Sequence, residues 1–425
     1  MRSCLVTLLL ALALPCGACS SDASPRSDGG APPTDAASRG DAAMPTTAEF
    51  FRSDAMHRIE LTLDPAEWQR FMAENRDLNG TPQWHQGDIR IDGIAVSKVG
   101  FKTFGFGSRM ANPEKPNLNL EFDHFVAGQS FADKSRMRVK NNGQDLSGLR
   151  QPITYEALRA AGLWAPLTSF ATLVVNGEEY GFYTIEESFT KSFVRDRGAL
   201  DTGAAYESGS CQVFVPPAGG CAQLVETYGR PFNPTVGVGE DLTALCTALS
   251  GPASGVLAAL APVIDVQEWA RGLAVDLALA GDNDGFDTAG TNYRLYHDPG
   301  SGKLRLILYG PDTSYDPDVP APDPKAPAPS TYCASFNPAY KDVFLQKLLG
   351  SAAGLAQYRT EVQALRQGGM SPARIKARAD ALWQVVRSAA FADRKRDMTE
   401  DLDYAKDSIG LYMDKRVPQL IAAGL

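Results

Sequence analysis

An Asn-Gly turn between two β-prone segments is the feature of this sequence that most narrows its fold. Residues 169–186 contain both segments, and Asn176-Gly177 joins them. Because Asn and Gly tolerate the positive φ angles of a type I′ turn, this pattern predicts a β-hairpin. A second hairpin pattern covers residues 292–309, and helical periodicity continues from about residue 340. Strands therefore precede helices, which predicts an α+β fold with antiparallel hairpins in the N-terminal part and a mainly helical C-terminal lobe.

The N-terminal residues have the features of an exported, tethered protein. Residues 1–19 place Arg2 before an apolar run that is shorter than the roughly 20 residues of a membrane-spanning helix, so they are predicted to be a signal peptide. Cys19 lies at a lipoprotein-type processing site, where lipidation would tether the chain to a membrane. Residues 20–47 have almost no large apolar side chains and are predicted to be a disordered tether. Residues 48–425 then form one domain, anchored to the cell envelope or otherwise periplasmic or secreted.

Net charge and cysteine spacing argue against several classes of function. The formal net charge of −9 argues against nucleic acid as the main ligand. Four cysteines follow the predicted signal peptide, and their spacing does not resemble a zinc site. Cys211 and Cys221 flank a turn-rich segment, so we expect a disulfide between them in an exported chain, and a Cys246–Cys333 disulfide is a second prediction. No histidine triad or serine-hydrolase elbow is present in the sequence.

The segment GDNDGFDTAGTNY, residues 281–293, concentrates carboxylates and amides in a glycine-broken loop. It does not match an EF-hand calcium loop, because Phe286 occupies a ligand position and Tyr293 stands where such a loop has its glutamate. Asp282 and Asp287 are interpreted as solvated loop residues. Asp284 and Asn292 of this segment are instead considered together with Asp312, which follows later in the chain.

Asp284, Asn292 and Asp312 have the residue types and the chain order of a kinase-like site. In such a site one carboxylate orients or deprotonates the attacking hydroxyl, while an amide and a second carboxylate hold magnesium. Asp284 precedes the second predicted hairpin, Asn292 opens it, and Asp312 follows its return strand. The alternative is that each of the three residues has only a structural role, in a turn or at the edge of a strand. The sequence has no HRD or DFG motif, which excludes an ordinary protein kinase.

Several segments together resemble the CotH family, the spore-coat H proteins with an atypical kinase fold. IELTLDPAEWQRF is similar to the family's first strand and helix, and DLSGLRQPITYEALRAAGLWAP to its Asp-Ser-Arg segment. VVNGEEYGFYTIEESFTKSF is similar to its hairpin and the glutamate that follows. NDGFDTAGTNYRLYHDPGSGKLRLILYGPDTSY is similar to the run that carries its site. The resemblance covers most of residues 57–425.

This resemblance implies a function and a role for each candidate residue. A CotH-like kinase would bind ATP with magnesium and transfer a phosphoryl group to a hydroxyl of a protein partner. Asp284 would orient or deprotonate the acceptor, and Asn292 and Asp312 would hold the metal. The residues expected to bind the nucleotide are Lys102, Lys115, Arg150 and Glu187.

Two departures from the family's pattern leave other functions open. The glycine loop reads GFKTFG at residues 100–105, without the family's arginine, and the next strand keeps only Lys115 of its lysines. Because a phosphate needs cationic or N–H partners, the alternative function is a catalytically inactive envelope scaffold or binding protein. A third possibility is another nucleotide-dependent transfer, such as adenylylation. Arg150 and Glu187 could also pair with each other in a structural salt bridge.

Overall fold

A computed structural model describes residues 43–209, 211, 214, 220–237, 239–326 and 343–425. A β-rich N-terminal part precedes a mainly helical C-terminal part, which confirms the predicted α+β class. In these ranges no helix combines the length and apolar character needed to cross a membrane. The predicted signal peptide, with Cys19, lies outside the described residues.

Seven strands of the N-terminal part form a closed barrel. They are β1 (Met56–Thr62), β2 (His85–Ile91), β3 (Ile94–Lys102), β4 (Leu118–Glu121), β5 (Arg136–Lys140), β6 (Thr168–Val175) and β7 (Glu178–Glu187). Their order around the barrel is β1-β2-β3-β4-β5-β7-β6, and a parallel pairing of β1 with β6 closes the ring. A closed barrel is not the N-terminal lobe of a kinase, so the structure corrects this part of the predicted kinase-like fold. Closure leaves the barrel without an unpaired sheet edge.

Local sequence explains the hairpins and the barrel interior. Asn176 and Gly177 have φ angles of 51° and 84° between β6 and β7, as the Asn-Gly pattern predicts. Side chains of β2 alternate between buried and exposed, which turns Ile89 and Ile91 into the barrel core and the intervening polar residues outward. The barrel is thus filled by apolar residues from strands that each contribute one face.

The helices lie mainly in the C-terminal part. In chain order they are α1 (Thr47–Phe50), α2 (Pro65–Arg76), α3 (Gly107–Ala111), α4 (Arg150–Ala160), α5 (Lys191–Arg195), α6 (Glu240–Ser250), α7 (Val256–Leu260), α8 (Val266–Leu273), α9 (Phe286–Ala289), α10 (Val343–Leu349), α11 (Ala352–Gln367), α12 (Pro372–Ala392) and α13 (Leu402–Ala422). Helix α8 continues into a π-helical segment, Ala274–Ala280, whose seven residues are all buried. This π segment ends at Gly281 and leads directly into the acidic loop.

A second, three-stranded sheet positions the residues after that loop. It consists of β8 (Ala205–Glu207), β9 (Tyr293–Asp298) and β10 (Lys303–Leu308), in the order β10-β9-β8. The predicted hairpin is therefore present, and Tyr293 of β9 pairs with Leu308 of β10. Because the two strands are antiparallel, residues just before β9 lie beside residues just after β10.

The disulfide pairing differs from both predictions. Cys221 is bonded to Cys246, with their Cα atoms 5.6 Å apart, so the predicted Cys211–Cys221 and Cys246–Cys333 disulfides are wrong. Cys211 is also disulfide-bonded. Cys221 begins a 3-10 helix that packs beside α6, which carries Cys246. Chain packing over a separation of 25 residues decided the pairing, whereas the prediction relied on proximity in sequence.

Candidate functional site

The structure brings Asp284, Asn292 and Asp312 to one end of the β9–β10 hairpin. Asp284 lies in the turn between the π segment and α9, Asn292 immediately precedes β9, and Asp312 follows β10. The backbone N–H of Tyr309 donates to the Asn292 carbonyl at 2.7 Å, which extends the ladder of the hairpin to this point. Asn292 has a φ of 55°, a left-handed conformation that asparagine tolerates better than most residues.

Hydrogen bonds join this group to strand β5 of the barrel. The Asn292 side-chain amide donates to the Asp284 carbonyl at 2.8 Å and to Asp284 Oδ2 at 3.2 Å. Lys140 Nζ, at the end of β5, donates to Asp312 Oδ2 at 2.9 Å and to Gln151 Oε1 at 2.7 Å. The site therefore lies where the barrel meets the C-terminal part.

Burial and like charge give Asp284 an unusual acidity. Burial, and then repulsion from Asp312, raise the pKa of Asp284 to about 6, against the opposing effects of the Asn292 hydrogen bond and the Lys140 charge. Burial lowers the pKa of Lys140, but the negative charges of Asp312 and Glu186 have the larger combined effect, so the pKa of Lys140 is raised. A carboxyl that ionises near pH 6 suits a general base that works near neutral pH.

Two neighbouring aspartates are buried, which corrects their interpretation as solvated loop residues. Asp282 is 1% exposed and Asp287 is 2% exposed. Asp282 Oδ1 accepts hydrogen bonds from the Asp284 backbone N–H at 3.2 Å and from the Thr313 hydroxyl. The loop folds back onto the helical core, and its acidic side chains turn inward with it.

Lys115 lies away from this group, in the contact between the barrel and α12. Its Nζ donates to Asp393 Oδ2 at 2.6 Å and to the Phe182 carbonyl at 2.5 Å, and both charged side chains are 2% exposed. The ammonium group lies 4.6 Å from the centre of the Tyr183 ring. The structure thus places Lys115 in an internal ion pair.

Glu187 and Arg150 form separate ion pairs and do not pair with each other. Glu187 is fully buried and contacts Lys134 at 2.7 Å and Arg197 at 2.8 Å. Burial acts against the Glu187 charge, but these two cations lower its pKa. Arg150 begins α4, where its backbone N–H donates to Asp145 Oδ2 at 2.8 Å and its guanidinium lies 3.4 Å from Asp316.

Lys102 lies at the end of β3, on the outer side of the barrel. Its ammonium group is 4.7 Å from the centre of the Trp84 ring. In the barrel register Lys102 pairs with Asn119, which pairs in turn with Arg138 of β5. Lys102, Asn119 and Arg138 therefore lie side by side on β3, β4 and β5, and β5 also carries Lys140.

Two cations on one face of β5, one of which contacts Asp312, were not predicted from the sequence. Arg138 and Lys140 both lie on β5, whose burial alternates so that Met137 and Val139 enter the barrel core. The two cations share the opposite face, and Arg138 lies 3.5 Å from Glu186 and 3.6 Å from Glu207. The period-two pattern of cations in RMRVK, residues 136–140, was the signal that could have identified them.

A narrow cleft separates β5 from the Asp312 turn. Its cavity of ≈ 10 Å³ has room for about one water molecule. The cleft is lined by Ser108, Lys140, Asn141, Asn142, Gly143, Asp145, Gly148, Gln151, Thr184 and Asp312. Polar loop residues, Lys140 and Asp312 thus surround one small cavity.

The oxygen donors at the hairpin end suit magnesium better than a metal held by protein alone. In the described ranges no group of three or more His, Cys, Asp or Glu side chains could hold a metal ion. Magnesium, however, is usually held by one or two carboxylates together with water and substrate phosphates. Asp312 and the Asn292 amide oxygen are donors of this kind, and repulsion between Asp312 and Asp284 favours an added cation.

Carboxylates and an amide at a hairpin end, together with cations on a neighbouring strand, are residue types that kinase sites also use. The family model described as CotH kinase protein matches residues 102–420. The chain belongs to the CotH kinase family, which confirms the resemblance seen in its motifs.

Other comparisons add little to this assignment. No curated protein matches the sequence. Among solved structures, a chain of the Shewanella oneidensis MR-1 toxin–antitoxin complex of HipA, HipB and operator DNA has 12% identity and a TM-score of 0.31. The match covers 73% of this chain and 65% of that chain. A likeness of this strength carries no conclusion about function.

Proposed function

We propose that this CotH-family chain is a phosphotransferase that uses ATP and magnesium to phosphorylate a hydroxyl of a protein partner. The observation that supports this most is the half-buried Asp284, whose carboxylate is held by Asn292 beside Asp312. The proposal requires a kinase-like arrangement only around the β9–β10 hairpin, where these residues lie.

Five residues of the candidate site and of β5 have roles in this proposal. Asp284 accepts the proton of the acceptor hydroxyl, and its pKa of about 6 leaves it mostly ionised at neutral pH. Asn292 and Asp312 would hold magnesium, which would neutralise phosphate charge, while ATP would give up its γ-phosphoryl group and leave as ADP. Arg138 and Lys140, which share one face of β5, would contact the phosphates in place of the buried Lys115.

A second candidate function is a non-catalytic scaffold or binding protein of the cell envelope. Three observations favour it. First, Lys115 and Glu187 form internal ion pairs. Second, Lys140 pairs with Asp312. Third, the cleft between β5 and the Asp312 turn is narrow. In this alternative the family's site has become a set of salt bridges that joins the barrel to the helical part.

Thermal denaturation with and without ATP and magnesium distinguishes the two functions. A ligand that binds only the folded chain at 100 times its Kd stabilises it by about 2.7 kcal/mol. The phosphotransferase proposal predicts a higher melting temperature with ATP and magnesium together, and loss of the magnesium dependence in Asp312→Ala. Asp54→Asn, an exposed residue that pairs with Arg52, is the matched control. No shift in the wild-type chain at millimolar nucleotide would leave the scaffold function standing.

Labelled nucleotides then identify the group transferred. With ATP labelled at the γ-phosphate, the proposal predicts label on a protein acceptor, and Asp284→Asn should bind nucleotide yet transfer no label. Label that reaches protein from the α-phosphate instead would indicate adenylylation. These two labelling experiments use the same protein and differ only in the position of the isotope.

If the chain is exported and lipidated as predicted, its protein acceptor would lie in the cell envelope. If Cys19 carries lipid, the chain should partition into detergent on phase separation, and Cys19→Ala should move it to the aqueous phase. Partitioning unchanged by this substitution would refute lipidation at Cys19.

A further inference from the structure

Asp282 links the two segments that carry the proposed catalytic and metal-binding residues. Its Oδ1 atom accepts from the Asp284 backbone N–H and from the Thr313 hydroxyl, and Thr313 directly follows Asp312 in the chain. The side chain is 99% buried, yet its second oxygen, Oδ2, has no hydrogen-bond partner among the described residues. A buried polar atom without a partner is costly, so the surroundings of Oδ2 need an explanation.

A second buried carboxyl group, that of Asp276, lies near this oxygen. It lies on the π segment and is 3% exposed. A Cβ atom added at Gly285 would lie 2.7 Å from Asp276 Oδ2 and 2.9 Å from Asp282 Oδ2, so both oxygens approach the same point. Glycine at position 285 is therefore what allows the two carboxyl groups to converge. π-Helical segments are rare and often occur at functional sites.

Two ionised carboxylates cannot share this buried position without a positive charge. In the part of the chain that the structure describes, no lysine, arginine or histidine forms an ion pair with Asp276 or Asp282. Burial raises the pKa of Asp276 to about 7, and burial together with the charge of Asp276 raises that of Asp282 well above its usual range. In the described residues Asp276 and Asp282 belong to no group of three or more His, Cys, Asp or Glu side chains that could hold a metal ion. A proton needs no coordination shell.

We infer that Asp282 keeps a proton on Oδ2 and donates it to the Asp276 carboxylate, so that Asp282 acts as a positioning residue. The proton removes the charge of Asp282 next to Asp284 and leaves Oδ1 as a neutral acceptor for both segments. The pair thus fixes the distance between the proposed base and the proposed metal site without adding a further carboxylate charge to the cleft. Its catalytic consequence rests on the proposed function, whereas its protonation does not.

Infrared spectroscopy tests the protonation without any assay of activity. The wild-type chain at pH 7 should show a carbonyl stretch of a protonated carboxyl group that is absent from Asp282→Asn and unchanged in Asp54→Asn. Absence of a band that depends on Asp282 would overturn the inference. So would a rise in melting temperature on adding magnesium, calcium or sodium ions alone that Asp282→Asn abolishes, because it would show a cation in place of the proton.

Transfer kinetics test the positioning role with two substitutions. Asp282→Asn keeps an acceptor oxygen for Asp284 and Thr313 and an N–H donor for Asp276, so kcat should stay within a few fold of wild type. Asp282→Ala removes both links and should lower kcat about 100-fold, as expected when reacting groups shift by about 1 Å, with the KM for ATP little changed. Circular dichroism would establish that both variants are folded.

The kinetic outcomes separate this inference from the proposed function. If Asp282→Asn loses as much kcat as Asp282→Ala, Asp282 acts as a carboxylate and the shared proton is wrong. If Asp282→Ala retains full kcat, the positioning role is wrong. If the wild-type chain transfers no phosphate at all, the proposed function fails, and the infrared band alone decides whether the pair shares a proton.

Discussion

Replacing Lys115 by methionine should destabilise the fold strongly, because the structure places this lysine in a buried ion pair. Lys115 and Asp393 are each 2% exposed, with 2.6 Å between Nζ and Oδ2. Removing one partner of such a pair leaves the other charge buried without compensation, which costs about 3–5 kcal/mol. The Asp393 carboxylate would retain its hydrogen bonds from the backbone N–H groups of Phe182 and Lys395, so we expect a loss near the lower end of that range, about 3 kcal/mol.

Urea denaturation followed by tryptophan fluorescence would measure this loss. Lys191→Met, at an exposed lysine, is the matched control and should change the free energy of unfolding by less than about 0.5 kcal/mol. The double variant Lys115→Met/Asp393→Asn removes the uncompensated charge. Its loss of unfolding free energy should be smaller, by about 2 kcal/mol, than the sum of the losses in the two single variants.

The same variants distinguish the ion pair from the phosphate contact that the sequence suggested. A Lys115 that binds phosphate would lose the ATP-dependent thermal shift on substitution while the free energy of unfolding stayed close to that of Lys191→Met. That result would refute the structural role. Strong destabilisation with additive losses in the double variant would also contradict a direct Lys115–Asp393 interaction.

Three further predictions follow from the site and from the disulfide. Asn292→Gly keeps the left-handed backbone but removes the hydrogen bond that lowers the pKa of Asp284, so this pKa should rise above about 6, as carboxyl NMR titration would show; an unchanged value contradicts the contact. Cys246→Ala should cost about 3 kcal/mol by releasing a loop closed over 25 residues, and mass spectrometry of the unreduced wild-type chain should find Cys221 and Cys246 in one linked peptide. The Asp276–Asp282 pair binds protons more tightly in the folded chain, with a pKa of about 7 for Asp276 against 3.8 as its ordinary value, so the free energy of unfolding should fall as pH rises from about 4 to about 7. That fall should be smaller in Asp276→Asn, and denaturation curves with equal pH dependence would refute it.

Local patterns predicted much of the secondary structure. Asn176-Gly177 indicated the β6–β7 hairpin, and the observed φ angles at these residues agree with the turn type. Asp64 followed by Pro65 is a local pattern typical of a helix start, and at the start of α2 Asp64 Oδ1 accepts from the backbone N–H groups of Ala66 and Glu67. Such features depend on a few adjacent residues, so the sequence contains the information they need.

Closure of the barrel could not be predicted in the same way. It depends on the parallel pairing of β1 with β6, whose paired residues are more than 100 positions apart in the chain. Alternation of polar and apolar residues shows which face of a strand is buried, but it does not show which strand lies next to it. The antiparallel hairpins were therefore predicted and the ring that joins them was not.

Sequence alone determined the α+β class, the family and the residue types of the candidate site, because these depend on local pattern and on the order of motifs. Tertiary structure decided which charges face one another. It placed Lys115 against Asp393 and Lys140 against Asp312, although both lysines were available from the sequence. It also buried Asp282 beside Asp276. The role of an ionisable side chain is set by its burial and its partners, and those come from parts of the chain that only folding brings together.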